Sequence, residues 1–284
     1  MSYKIAAVTV LYQPAPDVFQ NILSYSKDVQ LLVIVDNSPA PDHPLHLQLE
    51  ALGHVTIIKF LDNKGIAAAL NAGIQLTILK GFGSVLTMDQ DSSFEPGIAA
   101  AYFAQYAALT HPDSIAVVGP NHEEVTSPKT TEACLSVDTV ITSGSIVNTS
   151  IFTKLGKYNE DLFIDEVDHE YCYRAIVAGY QILQMPNILL NHNLGTTLFV
   201  GNASGKKTLK RNVHSGIRLY YMVRNTAFIH KQYKKVFPAQ MKLKRFDLMV
   251  RIKNKLLYNG NRLSTLKYIW LGYYHFLTNR FGKL

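Results

Sequence analysis

The first half of the chain alternates continuous apolar runs with stretches of helical spacing. Ile5–Tyr12, Leu31–Val35, Val55–Leu61 and Ser84–Met88 have the length and continuity of strands buried on both faces. Between them, Pro16–Ser26 has helical spacing after the Pro14/Pro16 turn. Gly65–Leu79 is an Ala-rich helix with apolar positions at 66, 70, 74 and 78, and Pro96–Leu109 is a further helix. Strands alternating with helices predict an α/β fold, a mainly parallel sheet flanked by helices. The second half is less regular. Ile115–Gly119, Val137–Ile141 and Gln181–Met185 read as strands, and Thr142–Ser145 as a polar turn. Ile164–Ala178 reads as a helix stopped by Gly179, and Asn187–Thr197 as a loop. From His214 onward the pattern is helical, basic and aromatic.

Ligands of parallel α/β sheets bind at the carboxyl ends of the strands. Asp36 and Asp89 each follow the last apolar residue of a predicted strand, which puts two carboxylates at that edge. Asp36-Asn37-Ser38 is compatible with a plain turn or with a carboxylate accepting the N–H of a pyrimidine base. Asp89-Gln90-Asp91 is more specific, because two carboxylates separated by one residue repel each other unless a cation or donors compensate. Hard oxygen ligands of this kind suit Mn2+ or Mg2+ bound together with phosphate oxygens. Asp165, Glu166, Asp168 and Glu170 crowd the start of a predicted helix. They suit its positive end and also offer a carboxylate base for a hydroxyl. His192 gains interest only beside the Asp-X-Asp, since neutral imidazole is a further ligand for Mn2+. Asn63-Lys64-Gly65, ahead of the Ala-rich helix, places backbone N–H groups and Lys64 where a diphosphate would lie. Dinucleotide, P-loop, Gly-X-Ser-X-Gly and Cys-X-X-Cys patterns are absent from the sequence.

Composition adds a charge split. Of 284 residues, 1–205 carry 9 Lys and Arg against 20 Asp and Glu, a net −11, whereas 206–284 carry 19 against 1, a net +18. Two domains are therefore expected, a catalytic body at 1–205 and a basic, aromatic helical region at 206–284. The tail either packs on the acidic body or meets an anionic surface, a lipid leaflet or nucleic acid. Leu266, Ile269, Trp270, Tyr273 and Leu277 form one helical stripe accompanied by Lys267, the pattern of an interfacial helix or of a packed face, including that of a homodimer. Two cysteines, no secretory signal and no apolar run approaching ~20 residues lead to the expectation of a cytoplasmic protein, peripheral at most on the inner face of a membrane.

Taken in order, the motifs resemble those of the inverting family 2 glycosyltransferases of GT-A fold, in particular a bacterial rhamnosyltransferase-like branch. The resemblance is carried by Val8-Thr9-Val10-Leu11-Tyr12, Val35-Asp36-Asn37, Asn63-Lys64-Gly65 through Asn71-Ala72-Gly73, and Met88-Asp89-Gln90-Asp91-Ser92. It continues with Ser143-Gly144-Ser145, Leu162-Phe163-Ile164-Asp165 leading to Asp168, Glu170 and Arg174, then His192-Asn193-Leu194-Gly195, Arg218-Leu219-Tyr220-Tyr221 and Arg224-Asn225. It implies that Tyr12 and Asp36 meet the base, Asp89 the ribose or donor sugar, Asp91 the metal, and His192 the metal or diphosphate. Asp168 would be the catalytic base, with Asp165 the alternative because Val167 stands where the family has a Glu. Ser143, Gly144, Asp165 and Glu170 would face the acceptor. The implied reaction moves a sugar, best matched to L-rhamnose from dTDP-L-rhamnose and otherwise another dTDP- or UDP-sugar, to a saccharide acceptor. A lipid-linked acceptor, as in cell-surface polysaccharide synthesis, belongs to the same expectation. A sugar nucleotidyltransferase would need a Gly-rich basic loop after the first strand, where Tyr12-Gln13-Pro14-Ala15-Pro16 stands instead. A nucleic-acid-binding module would have to use the basic tail next to a body whose carboxylates repel phosphate, so no nucleic acid partner is expected.

Overall fold

The computed structural model describes residues 4–40, 44–122, 132–192, 197–201, 208–212, 215–258 and 261–284, with the backbone alone for 192, 197–201 and 208–212. Contacts divide the chain into two units, Met1–Glu160 with Val167–Asn193, and Asp161–Glu166 with Leu194–Leu284.

The first unit opens with β1 (Ile5–Leu11), α1 (Val18–Ser26), β2 (Leu31–Asp36), α2 (Pro44–Glu50), β3 (Val55–Lys59), α3 (Ile66–Leu79) and β4 (Ser84–Asp89). It continues through β5 (Ser92–Phe94), α4 (Ile98–Ala107), β6 (Ile115–Asn121), β7 (Leu135–Ser136), β8 (Ser145–Asn148), α5 (Thr149–Leu155), α6 (Val167–Val177) and β9 (Gln181–His192). Among the described residues these strands form one sheet in the order β3-β2-β1-β4-β8-β6-β9-β5, with β7 beside β9. Strands β3, β2, β1 and β4 are mutually parallel. This is the half whose apolar runs are continuous: every residue of β1 is buried, and Leu32, Val33, Ile34 and Val35 of β2 are inaccessible. Helix α3 covers it. Beyond β4 the sheet becomes mixed, because β8 enters antiparallel to both β4 and β6.

Three expectations from the sequence give way here. Val137–Ile141 is not a strand. Val137 donates one last hydrogen bond to the Ile182 carbonyl, after which Val140 packs over the bare Cα of Gly119 and the chain turns toward α6. Asn187–Thr197 is not all loop, since β9 continues to His192. Pro186 lacks an N–H and sits at a register shift, where Met185 pairs with Pro120 but Leu189 with Asn121. The bulge frees the strand end from β6 to pair with β5. The helix expected from Ile164 starts at Val167, because Asp165 and Glu166 are left-handed.

The second unit contains the hairpin β10 (Thr197–Gly201) and β11 (Thr208–Asn212), then α7 (Gly216–Tyr233), α8 (Pro238–Tyr258) and α9 (Arg262–Leu277). It begins at 194, ahead of the expected boundary at 206, because β10 and β11 pair only with each other among the described strands. It also takes in the strap 161–166. Arg224 of α7, wholly buried, is the reason. It donates to the carbonyls of Asp161 (3.0 Å), Leu162 (3.0 Å) and Gly282 (2.7 Å) and to the Asn225 Oδ1 (3.0 Å). Asn225 Nδ2 donates to the carbonyls of Leu162, Ile164 and Asp165 at 2.9, 2.7 and 3.0 Å. Phe163 stacks on Tyr221 with ring centroids 5.0 Å apart. These bonds offset the strain of three left-handed residues, Phe163, Asp165 and Glu166 (φ 63, 63 and 68°), each costing on the order of 1 kcal/mol or more.

Arg224→Met should therefore destabilise the protein by about 3 kcal/mol or more, since it removes the buried cationic donor from the carbonyls of Asp161, Leu162 and Gly282. Urea unfolding followed by circular dichroism measures this, and an unchanged midpoint would show that the strap is held by other contacts.

Candidate active site

Parallel register delivers the strand-end carboxylates together. Leu11 pairs with Asp36 and Val10 with Asp89, so the end of β1 lies between them, with adjacent strands about 4.8 Å apart. Tyr12 follows at the same edge with its side chain 41% exposed. Gln90, the middle residue of Asp89-Gln90-Asp91, fixes that corner: its Oε1 accepts from the Tyr12 N–H (2.8 Å) and its Nε2 donates to the Tyr12 carbonyl (3.2 Å). Asn21 of α1 donates to the Gln90 carbonyl at 3.0 Å. Asp89 and Asp91 thus sit on a braced turn between β4 and β5, both partly exposed. The β5–β9 pairing sets His192 opposite Ser92, the neighbour of Asp91. The backbone therefore brings the predicted histidine to the Asp-X-Asp, while its side chain lies outside the described residues.

Asp36 is placed differently from the expectation of a carboxylate open to a base. It is fully buried, its Oδ1 accepts from the Ser38 N–H (2.9 Å), and its Oδ2 lies 2.8 Å from His46 Nε2. His46, on α2, carried no motif and was missed in the sequence; its Nδ1 is buried without a partner. Lys64 donates its N–H to Asn37 Oδ1 (2.8 Å), and Asn37 in turn donates to Asn63 Oδ1 (3.0 Å), tying β2 to the start of α3. The Lys64 ammonium lies over the Phe60 ring, 4.5 Å from its centroid. It lines a recess with Asn71, Gln75, Lys157 and Glu160, and none of the strand-end carboxylates lines that recess.

The four acids around α6 separate. Asp165 Oδ1 accepts from Arg218 at 3.1 Å and Glu166 from Lys244 at 2.7 Å, both partners on helices of the second unit. Glu170 is buried in a two-point pair with Arg174, both bonds 3.0 Å, and Arg174 also caps the carbonyls of Leu155, Gly156 and Lys157. Glu170 is thereby committed to holding α5 and the turn after it, which departs from its expected acceptor role. Asp168 is partly exposed. Its Oδ1 accepts from the His169 N–H (2.8 Å) and its Oδ2 from the Thr142 N–H (3.1 Å), with His169 Nδ1 3.7 Å from Oδ1. Burial raises the phenols of Tyr158 and Tyr171 above their ordinary pKa. Both therefore stay neutral near α6.

The turn at Thr142–Ser145 connects the two halves of this site. Thr142 N–H reaches Asp168, while Ser143 Oγ accepts from the Asp89 N–H (3.2 Å) and donates to Ser92 Oγ (2.7 Å). Gly144 N–H donates to the Thr87 carbonyl at 2.8 Å, and Thr87 Oγ1 donates to the carbonyls of Thr142 (2.6 Å) and Ser145 (3.0 Å). His122 Nε2 lies 2.9 Å from the Ser143 carbonyl. Ser143 is inaccessible, so it acts through its neighbours, and Gly144 is required by shape. Its φ is +78°, and a Cβ there would meet Pro120 at 2.6 Å and Leu190 at 2.8 Å. Gln90, Ser92 and Thr142 stood inside the sequence motifs without a role of their own and His122 was not singled out, since a hydroxyl, an amide or an imidazole carries no spacing signal.

A divalent cation fits the donor set at the β4–β5 turn. Asp89 and Asp91 are oxygen ligands at a partly exposed edge, and a hard cation bound to a diphosphate commonly takes one or two protein carboxylates. Among the described residues no cluster of three His, Cys, Asp or Glu is preassembled, and the His192 side chain lies outside them.

No family profile matches the chain. It is 26% identical to the dTDP-rhamnosyl transferase RfbF of Shigella flexneri, over 79% of each chain. Residues 1–349 of S. aureus TarS, solved in complex with UDP-GlcNAc, superpose with a TM-score of 0.61 at 12% identity, covering 98% of this chain and 81% of that one. GalNAc-T7, solved with UDP, GalNAc and Mn2+, gives the same TM-score at 13% identity, covering 98% of this chain and 58% of that one. This chain spans 44% of a longer TarS chain, superposing with a TM-score of 0.50 at 14% identity over 90% of its own length.

Gly144→Ala should cost about 2 kcal/mol or more, combining a left-handed alanine with two core overlaps. Thermal unfolding reads this directly; a wild-type midpoint would mean that the turn relaxes at no cost. The chain has the GT-A fold, shared with TarS and GalNAc-T7, and in sequence it is similar to a dTDP-rhamnosyl transferase.

Proposed function

We propose that the protein is an inverting, metal-assisted glycosyltransferase that moves L-rhamnose from dTDP-L-rhamnose to a saccharide acceptor in cell-surface polysaccharide synthesis. The observation that carries this reading is the Thr142–Ser145 turn, which bonds at one end to the Asp89 strand terminus and at the other to Asp168. A donor-side carboxylate and a candidate base are thus held by one buried hydrogen-bonded element. The similarity to a dTDP-rhamnosyl transferase supports the choice of donor, and the Mn2+ in the GalNAc-T7 structure supports the choice of cofactor.

In this reading Tyr12 receives the base at the corner that the buried Asp36 braces through Ser38 and His46, and Asp89 the ribose or sugar. Asp91, with His192, holds Mn2+ or Mg2+, which when bound offsets the charge of the departing diphosphate. Asp168 accepts the proton of the acceptor hydroxyl. The oxygen forms its bond to the anomeric carbon from the face opposite the diphosphate, and the C–O bond to the diphosphate breaks with its electron pair leaving on phosphate oxygen. One displacement inverts the anomeric centre. Asp165 is engaged with Arg218, which favours Asp168 as the base. Lys64 contributes through its backbone to the Asn37–Asn63 network and through its charge to the donor side.

Asp168→Asn should bind donor as wild type and lose about 10²–10⁴-fold in kcat, because an amide takes no proton. Asp165→Asn should retain most turnover, and the reverse pattern would move the base to Asp165. In hydrolysis and transfer assays with a panel of dTDP- and UDP-sugars, dTDP-L-rhamnose should give the highest kcat/KM. Asp91→Ala should abolish the Mn2+ response, and full activity in EDTA would remove the metal from the mechanism.

A further inference from the structure

Helix α8 is 21 residues long, yet Met241 is its one buried residue. Its exposed apolar side chains are Leu243, Phe246, Met249, Val250 and Leu257. At 3.6 residues per turn these fall within roughly a third of the circumference, on the side away from Met241. Lys242 and Lys253 lie within that stripe and Arg245 beside it, all exposed. Helix α9 repeats the arrangement. Its buried residues are Thr265 and Gly272, and a Cβ on Gly272 would sit 2.6 Å from the Tyr220 carbonyl oxygen, so this face is pressed against α7. Leu263, Leu266, Trp270, Tyr273, Tyr274 and Leu277 are exposed on the opposite side, 39–79% accessible. Arg262 and Lys267 edge that stripe. Trp270 and Tyr274 stack with ring centroids 5.1 Å apart and planes nearly parallel, on the open surface.

Two consecutive helices that turn apolar stripes outward, with cations set into and around them, need a cover that is apolar and anionic at once. A second copy of the same face would bring together two regions that each carry 19 basic residues and one acid over 206–284, which repel. Nucleic acid would satisfy the cations but offers aliphatic Leu243, Val250 and Leu277 nothing to pack on. Anionic lipid satisfies both, with the aliphatic and aromatic side chains entering at headgroup level and the lysines and arginines meeting phosphate. None of the described helices is long and apolar enough to cross a membrane, so the contact is interfacial. We infer that the outer faces of α8 and α9 form a docking surface for an anionic lipid leaflet. This deepens the proposed function and rests on it for its purpose, the delivery of a lipid-linked saccharide acceptor, but the surface itself stands on the two stripes.

The test is flotation of the full chain with vesicles of phosphatidylcholine alone, or mixed with phosphatidylglycerol, at low and high salt. The protein should float with the anionic vesicles at low salt and be released by salt. Phe246→Ser with Met249→Ser, and separately Arg245→Glu with Lys253→Glu, should each weaken binding by about tenfold or more. All four side chains are exposed, so the variants should keep the wild-type melting profile. Soluble-donor hydrolysis on the same samples reads the catalytic proposal independently, since lost hydrolysis with intact flotation sinks that reading and leaves this one. A protein that stays unbound at low salt overturns the inference. So does equal binding to neutral vesicles, or a dimer in sedimentation that Phe246→Ser and Met249→Ser dissociate.

Discussion

Parallel pairing of β2, β1 and β4 is the constraint on which the site depends. Strands buried on both faces must run as continuous apolar segments, and parallel pairing makes all of them end at one edge. With Leu11 opposite Asp36 and Val10 opposite Asp89, the first polar residue after each run lands on that edge without any local signal directing it there. The carboxylates share one edge, on either side of β1, because the sheet buries everything before them. Gln90 then converts adjacency into fixed geometry by bonding both backbone groups of Tyr12.

The same sheet sets the opposite wall. Because β8 enters antiparallel to β4, the turn leading into it reaches the Asp89 end, and Thr87, Ser143 and Gly144 fasten it there. The antiparallel β5–β9 pair, made possible by the bulge at Pro186, sets the His192 backbone opposite Ser92. Each step is a backbone pairing, and side-chain chemistry is added only where the ladder has already placed a residue.

Electrostatics around α6 follow a division of labour. Of the acids at 165, 166, 168 and 170, three are matched to Arg218, Lys244 and Arg174, and their worth is structural: they hold the strap and the end of α5. Asp168 is bonded to backbone N–H groups instead and keeps a partly exposed carboxylate. A cluster dense enough in sequence to look wholly catalytic is, in space, one candidate base among positioning ion pairs.

The parallel half of the sheet, the helices that cover it, the strand-end aspartates and the helical, basic C-terminal region were legible in the order of residues alone. All of these rest on local signals, since burial on two faces writes continuous apolar runs and helical packing writes a 3.6-residue period. The sequence also marked Asp89, Asp91, Asp168 and His192 by chemical type. Only the tertiary structure decided the mixed half of the sheet, where Val137–Ile141 has strand composition but is drawn off by Gly119 and α6. Tertiary structure alone also decided the second unit's hold on 161–166, the burial of Asp36 against His46 and the commitment of Glu170 to Arg174. The strap is held through backbone carbonyls 60–63 residues from Arg224 and Asn225, and Arg174, one helical turn from Glu170, is itself fixed by the carbonyls of Leu155, Gly156 and Lys157. A carbonyl has the same identity at every position, so no spacing or composition could have announced it.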